Sequence, residues 1–341
     1  MEPLNIVIIA PSGPLDPEKS MKGIELFVSD LARWIPEARI QLFQAGCPEL
    51  DMPPWPNIAG YPVHDPTAGK IPGYLHCHDR FQAELFQTLI QDSSIHLIWA
   101  VRGGYGTSRW LPLVEWSDIE KRKKDSSLPL FAGFSDCTFI HSILAAKLSM
   151  PTIHAPMVQT YLETGDKSRR DFIDLVIQGI PPKLSSQTPL EPGTAEGIAI
   201  GGNLTCLCHA IGTEAEPVWH DTILFIEDLN EPLYKLDRMF THLKNRGVFQ
   251  AIRGLACGRF ILSAECRREG NDMGTAGEQI ERRPAEEELR ELIMERIAGY
   301  GFPCAINFPF GHGAGPNCPI LMGTTYRFQA GSKEAVIKPQ Q

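Results

Sequence analysis

Short apolar runs alternate with amphipathic stretches through the first half of the chain, and that alternation points to a parallel sheet covered by helices. Ile6 to Ala10 reads as a buried strand. Ile24, Phe27, Val28, Leu31 and Ile35 then recur at helical spacing, and Phe81, Leu85 and Leu89 line one face of a second helix over Asp79 to Ile90. Ile95 to Val101 is the next strand and ends in RGGYG (102–106), while the run Leu128 to Phe131 leads into GFSD (133–136) ahead of an amphipathic stretch from Cys137. In such sheets functional loops gather at the carboxyl ends of the strands, which is where the glycine loop and Ser135 fall.

The second half keeps the alternation in a different form. GGN (201–203) opens an apolar helix, Ile223 to Glu227 is a strand, and Leu233, Leu236, Phe240 and Leu243 share a helix face after Pro232. A strand around Leu255 to Ile261, a helix carrying Leu289, Leu292, Ile293 and Ile297, and β-like pieces at Ala305 to Phe308, Ile320 to Met322 and Thr325 to Gln329 complete it. Four prolines, Pro181, Pro182, Pro189 and Pro192, break a Ser/Thr-rich stretch between the halves. At 341 residues the chain has room for roughly two domains of about 150 residues each. The expected organisation is an N-terminal α/β domain over 1–165, an interdomain segment over 166–195 and a C-terminal α/β domain with a mixed sheet over 196–341.

Charge narrows the partners. A net charge of −9 argues against nucleic acid and against an anionic membrane surface, both of which reward a basic patch. The one basic cluster, Arg267, Arg268, Arg282 and Arg283, is interleaved with Glu265, Glu278 and Glu281 in a polar loop at 263–283. The apolar run after Met1 is too short for a secretory segment, no stretch approaches the ~18 apolar residues of a membrane span, and nine scattered cysteines lack CxxC spacing. These features lead to the expectation of a cytoplasmic protein with reduced thiols and no metal. His76 and His78 flank Cys77 but have no third ligand nearby.

GFSD has the strand, sharp turn, helix context that a nucleophilic serine needs, because such a turn thrusts the hydroxyl outward and leaves the Asp136 amide at a helix N-terminus. The familiar elbow has glycine two places after the serine, where this chain has Cys137. Taken alone, the tetrapeptide reads first as a helix-capping Ser-Asp. RGGYG lacks the Walker lysine and the full dinucleotide spacing. It reads as a tight turn or, with Ser135, as half of an oxyanion hole built from the Gly104 and Asp136 amides. Glu227 and Asp228 end an apolar strand, and alternation places them on opposite faces, so only one can orient a histidine. His312, in PFGHGAG (309–315), has the most open local setting of the ten histidines and is the candidate base; His141 and His209 fall in helices as half-buried residues.

In order along the chain, APSGP (10–14), Asp79-Arg80, RGGYGTSRWLP (102–112), GFSDCT (133–138), HAPM (154–157), GGNL (201–204), IGT (211–213), FIEDLNEP (225–232), Asp237-Arg238 and FGHG (310–313) resemble the serine LD-carboxypeptidase family, which also contains the microcin self-immunity peptidases. The resemblance implies a flavodoxin- or Rossmann-like parallel sheet followed by a mixed α/β domain, no cofactor, and a triad of Ser135, Glu227 and His312. It selects Glu227 over Asp228. It also implies an oxyanion hole of Gly104 and Asp136, hydrolysis of the bond before a terminal D-Ala in a murein tetrapeptide during cell-wall recycling, and a site formed between the two domains; family precedent allows a homodimer. Arg102, Tyr105 and Arg109 are the candidates for binding substrate, with each arginine equally readable as a structural partner of a nearby acid. Cys318 and Met322, in NCPILMG (317–323), depart from the apolar run expected after the histidine.

Three rivals carry distinct signatures. A peptidase for aminoacyl-nucleotide conjugates calls for an aromatic side chain to receive the base, and 158–196 offers Tyr161 and Phe172. A nucleotide-dependent oxidoreductase calls for the glycine loop after the first strand, whereas here it follows a later one. An inactive peptide-binding protein is opposed by retention of all three triad residue types.

Overall fold

The computed structural model describes residues 3–46, 71–125, 128–263 and 285–340. Isoleucine and valine fill β1 (Leu4–Ile9), whose last four residues are buried, as a strand covered on both faces requires. Next come β2 (Ile40–Gln44), β3 (Leu97–Ala100), β4 (Leu130–Gly133) and β5 (Thr152–His154), which lie in the order β5-β4-β3-β1-β2 with every neighbouring pair parallel. The helix Pro17–Trp34 begins where Asp16 accepts the Lys19 amide at 3.0 Å and Pro17 occupies the first turn. It turns Ile24, Phe27 and Leu31 inward, and Phe27 meets the Trp99 ring with centroids 5.0 Å apart.

The second sheet draws on β6 (Leu184–Ser186), β7 (Thr188–Glu191), β8 (Gly193–Asn203), β9 (Thr222–Glu231), β10 (Gly254–Leu262) and β11 (Cys304–Ile306). The chain then contributes β12 (Ile320–Met322) to the first sheet, antiparallel to β5, before β13 (Thr325–Ala330) and β14 (Ala335–Pro339) complete the second. The second sheet runs β6-β14-β13-β8-β9-β10-β11-β7, with a parallel centre of β8 to β11 and antiparallel strands on both sides. The parallel sheet expected from the first half and the mixed sheet expected from the second are both present.

By internal contacts the chain forms two units, Met1–Pro182 with Ala210–Val218 and Ala314–Thr324, and Lys183–His209 with Trp219–Gly313 and Thr325–Gln341. The segment 166–195 contains a helix, Asp166–Gln178, whose Phe172, Ile173 and Leu175 belong to the core of the first unit, followed by β6 and β7. Apart from Ser263, the polar loop at 263–283 and its basic cluster lie outside the described residues. Among the described residues no helix is long and apolar enough to cross a membrane.

Candidate active site

In the first unit, β4 ends at Gly133, Phe134 is fully extended, and Ser135 adopts φ 62° before a single 3-10 turn (Ser135–Cys137) passes into the helix Thr138–Leu148. A left-handed serine costs on the order of 1–3 kcal/mol and persists where the surroundings enforce it. The departure at Cys137 has a packing explanation. A Cβ on Gly133 would come within 2.9 Å of the Cys137 sulfur, so here the small residue stands on the strand side of the turn and the larger one on the helix side.

The glycine loop lies against this turn. A Cβ added to Gly103 would sit 2.9 Å from the Ser135 Cβ, 3.0 Å from its Oγ and 3.5 Å from the Asp136 nitrogen. The two segments are bonded reciprocally: the Thr107 amide donates to the Asp136 carboxylate at 2.9 Å, and the Thr107 hydroxyl donates to the Asp136 carbonyl at 2.7 Å. The helix-capping role read for Ser-Asp is corrected: the helix Thr138–Leu148 has no side-chain cap, and the Asp136 carboxylate instead accepts the Thr107 amide in the first turn of the short helix Thr107–Trp110. Burial raises the Asp136 pKa, against the Thr107 amide and the Ser12 and Thr107 hydroxyls, which favour its charged form. Gly103→Ala is expected to lower the turnover of this site about a hundredfold, as displacement of reacting groups by about 1 Å does, while leaving the melting temperature within a few degrees. Steady-state kinetics beside a thermal melt checks this.

His141 supports the same turn from behind, a role its place in a helix did not signal. Its Nε2 lies 2.9 Å from the Gly133 carbonyl and its Nδ1 2.8 Å from the Thr152 hydroxyl. A carbonyl only accepts, so Nε2 carries the hydrogen and Nδ1 accepts from Thr152. The expected half-burial of His141 and His209 is corrected on both counts: His141 is buried and His209, on the outer face of Leu204–Ala210, is exposed. Burial, with His154 nearby, lowers the His141 pKa to about 3. The unfolded chain therefore binds a proton that the folded one refuses between the ordinary histidine value and that lowered one. Stability falls through this window as pH falls, at a limiting slope of about 1.4 kcal/mol per pH unit. Denaturant midpoints measured from pH 7 to pH 4 are expected to fall more steeply for the native protein than for His141→Gln.

In the second unit, β9 runs on past Glu227 and Asp228 to Glu231, so the pair lies within the strand and not at its end as expected, and the two face apart as alternation requires. Asp228 accepts from Asn203 Nδ2 (2.8 Å), the Thr205 amide (2.9 Å), the Thr205 hydroxyl (2.8 Å) and the Leu229 amide (2.8 Å), which fixes the GGN turn. Glu227, wholly buried, takes His312: its Oε2 lies 2.6 Å from Nδ1 and 3.1 Å from the His312 amide. Since a carboxylate accepts, Nδ1 carries the hydrogen and Nε2 is left as the basic nitrogen. The open setting expected for His312 is corrected here. Its side chain is only 13% exposed, because the ring lies against that carboxylate. Gly311, at φ 99°, makes this possible, since a Cβ there would lie 2.8 Å from the Glu227 side chain. Burial lowers the His312 pKa, but the charge and hydrogen bond of Glu227, with Asp228 behind it, outweigh burial and Arg259 and leave it above the ordinary value.

The candidate substrate-binding residues divide. Arg102 donates to the Pro14 carbonyl at 2.9 Å and to the Gly103 carbonyl at 3.1 Å, and Arg109 forms a two-pronged pair with Asp79 at 2.8–3.1 Å. Tyr105 is 49% exposed, with the ring of Tyr74, also exposed, 6.0 Å away. The structure thus gathers Gly103, Thr107, Ser135 and Asp136 in one unit and Glu227, His312 and Arg259 in the other. Arg259 and the side chain of Asp136 escaped sequence reading because strand and turn residues of ordinary polarity give no sign of which backbone they will hold.

Residues 6–155 match the family model described as the LD-carboxypeptidase N-terminal domain, and residues 196–328 match that of the LD-carboxypeptidase C-terminal domain. A Bacillus subtilis protein named "Probable murein peptide carboxypeptidase" is 28% identical over 272 residues, 78% of this chain and 79% of that one. The microcin C7 self-immunity protein MccF of Escherichia coli is 25% identical over 233 residues, 59% of this chain and 66% of that one. The crystal structure of muramoyltetrapeptide carboxypeptidase from Oxalobacter formigenes superposes with a TM-score of 0.71 at 20% identity, covering 99% of each chain.

Proposed function

The chain belongs to the LD-carboxypeptidase family, a family of peptide hydrolases, and from that premise we propose that it is a serine carboxypeptidase releasing the terminal D-alanine of a murein tetrapeptide in the cytoplasm. The observation that carries the serine-type reading is Ser135 at φ 62° ahead of a helix, in a chain that also holds a buried Glu227–His312 pair with Nε2 as its basic atom. In this proposal His312 is the base that serves Ser135. Nε2 takes the hydroxyl proton as Oγ attacks the carbonyl of the residue before D-alanine, and the charge on the carbonyl oxygen is received by the Gly104 and Asp136 amides. The imidazolium, held by Glu227, then protonates the departing D-alanine nitrogen; His312 next takes a proton from water, whose oxygen attacks the ester and frees Ser135.

Arg102 and Arg109 act here by holding the loops around the nucleophile, and Tyr105 is the residue offered to substrate. The rival activity on aminoacyl-nucleotides loses the aromatic residues of 158–196, since Tyr161 and Phe172 are both buried in the first core. The exposed Tyr74–Tyr105 pair is the feature in its favour. Incubation of the purified protein with L-Ala-D-Glu-diaminopimelyl-D-Ala and, separately, with an aminoacyl sulfamoyl adenosine decides between them. Release of D-alanine from the first, with the second left intact, is the expected result. Cleavage of the second alone contradicts the murein assignment.

A further inference from the structure

We propose that Arg259 is a positioning residue for His312, holding the loop that carries the base through a three-carbonyl clamp; the functional part of this rests on the peptidase reading above. Arg259 lies towards the end of β10 and is half-buried. Its Nε donates to the His312 carbonyl at 2.8 Å, and its Nη2 donates to the Gly311 carbonyl at 2.8 Å and the Gly313 carbonyl at 3.0 Å. Its own amide donates to the Phe310 carbonyl at 3.1 Å. One side chain and its amide therefore engage four consecutive carbonyls of the glycine-flanked loop 310–313.

That loop needs such a brace. Gly311 and Gly313 both have positive φ, 99° and 93°, and glycines so placed leave the backbone many alternatives. Glu227 fixes one side of the loop through the ring and amide of His312, and the guanidinium fixes the other through the carbonyls. A lysine carries charge but not the planar fork, so it cannot reproduce bonds to three successive carbonyls.

The clamp also carries charge. Among the described residues, Glu227 and Asp228 from β9 favour protonation of the imidazole, whereas Arg259 from β10 opposes it, as burial does. Arg259 thus limits how far the Glu227 carboxylate raises the base, keeping Nε2 deprotonated to lower pH. Positioning and charge are separable by substitution, because lysine retains the second and loses most of the first.

The test uses the full chain, with kcat and kcat/KM for D-alanine release measured against pH alongside an NMR titration of the His312 ring, for the native protein, Arg259→Lys and Arg259→Gln. For Arg259→Gln, kcat falls roughly tenfold to a hundredfold with the acid limb and the ring titration both displaced to higher pH. Arg259→Lys keeps the native titration yet loses kcat. Native kcat and titration in Arg259→Gln overturn the inference, and so does full kcat in Arg259→Lys should the glutamine variant not fold. If the native protein releases no D-alanine while Arg259→Gln still displaces the ring titration upward, the peptidase reading fails and the charge coupling of Arg259 to His312 is upheld.

Discussion

Ser135→Ala is expected to lower D-alanine release from the tetrapeptide at least about 10⁴-fold, with binding little changed. The size follows from the role. Removing the nucleophile of a triad removes the covalent path altogether, and what remains is whatever the oxyanion donors and substrate binding achieve with water. Because Ser135 is held at φ 62°, the substitution also carries a structural signature. Alanine tolerates the left-handed region no better than serine, so the turn stays under the same strain and the melting temperature stays near the native value. Serine to glycine at the same position relieves the strain and is expected to be inactive and more stable by up to about 1 kcal/mol. Turnover that survives either substitution removes Ser135 from the mechanism.

Glu227→Gln is expected to cost about 10³- to 10⁴-fold in kcat, nearly as much, and to leave a distinctive pH profile. An amide can present its NH₂ to Nδ1, which would place the imidazole hydrogen on Nε2, the atom that must accept the serine proton. The variant also removes the charge that holds the His312 pKa above its ordinary value, so burial then prevails and the residual activity should extend to lower pH. The sign follows from which form works: the neutral imidazole is the base, activity is lost as pH falls through its pKa, and a lower pKa moves that loss downward. Loss of the Arg259 charge moves it upward. Opposite displacements from two substitutions acting on one ring are hard to produce by general destabilisation. Asp228→Asn bears on Asn203 and Thr205 and is expected to act on stability first.

Several features of the site were legible in the sequence because local chemistry dictates them. The apolar run into GFSD announces a strand-to-helix turn, and alternation along β9 separates Glu227 from Asp228. The choice between those two acids needed either family resemblance or the observed ring contact, since both follow the same apolar strand. Burial of His312 was illegible for a related reason. Glycines on either side signal an open loop, yet here Gly311 lacks a Cβ so that the loop can press onto Glu227. The antiparallel pairing of β12 with β5 joins residues more than 160 positions apart, a separation no periodicity reports. Edge strands such as β2 and β6 leave little trace in the sequence because their burial is partial and their apolar runs are short.

The proposed mechanism requires His312 to activate Ser135. Mass spectrometry of the native protein and His312→Ala after timed exposure to a fluorophosphonate tests it directly, since phosphonylation of a serine requires an activated hydroxyl but no peptide substrate. The expected result is rapid modification confined to the peptide containing Ser135 in the native protein and modification slowed to the rate of ordinary surface serines in His312→Ala. Equal rates in the two proteins, or modification at a different serine, would contradict it.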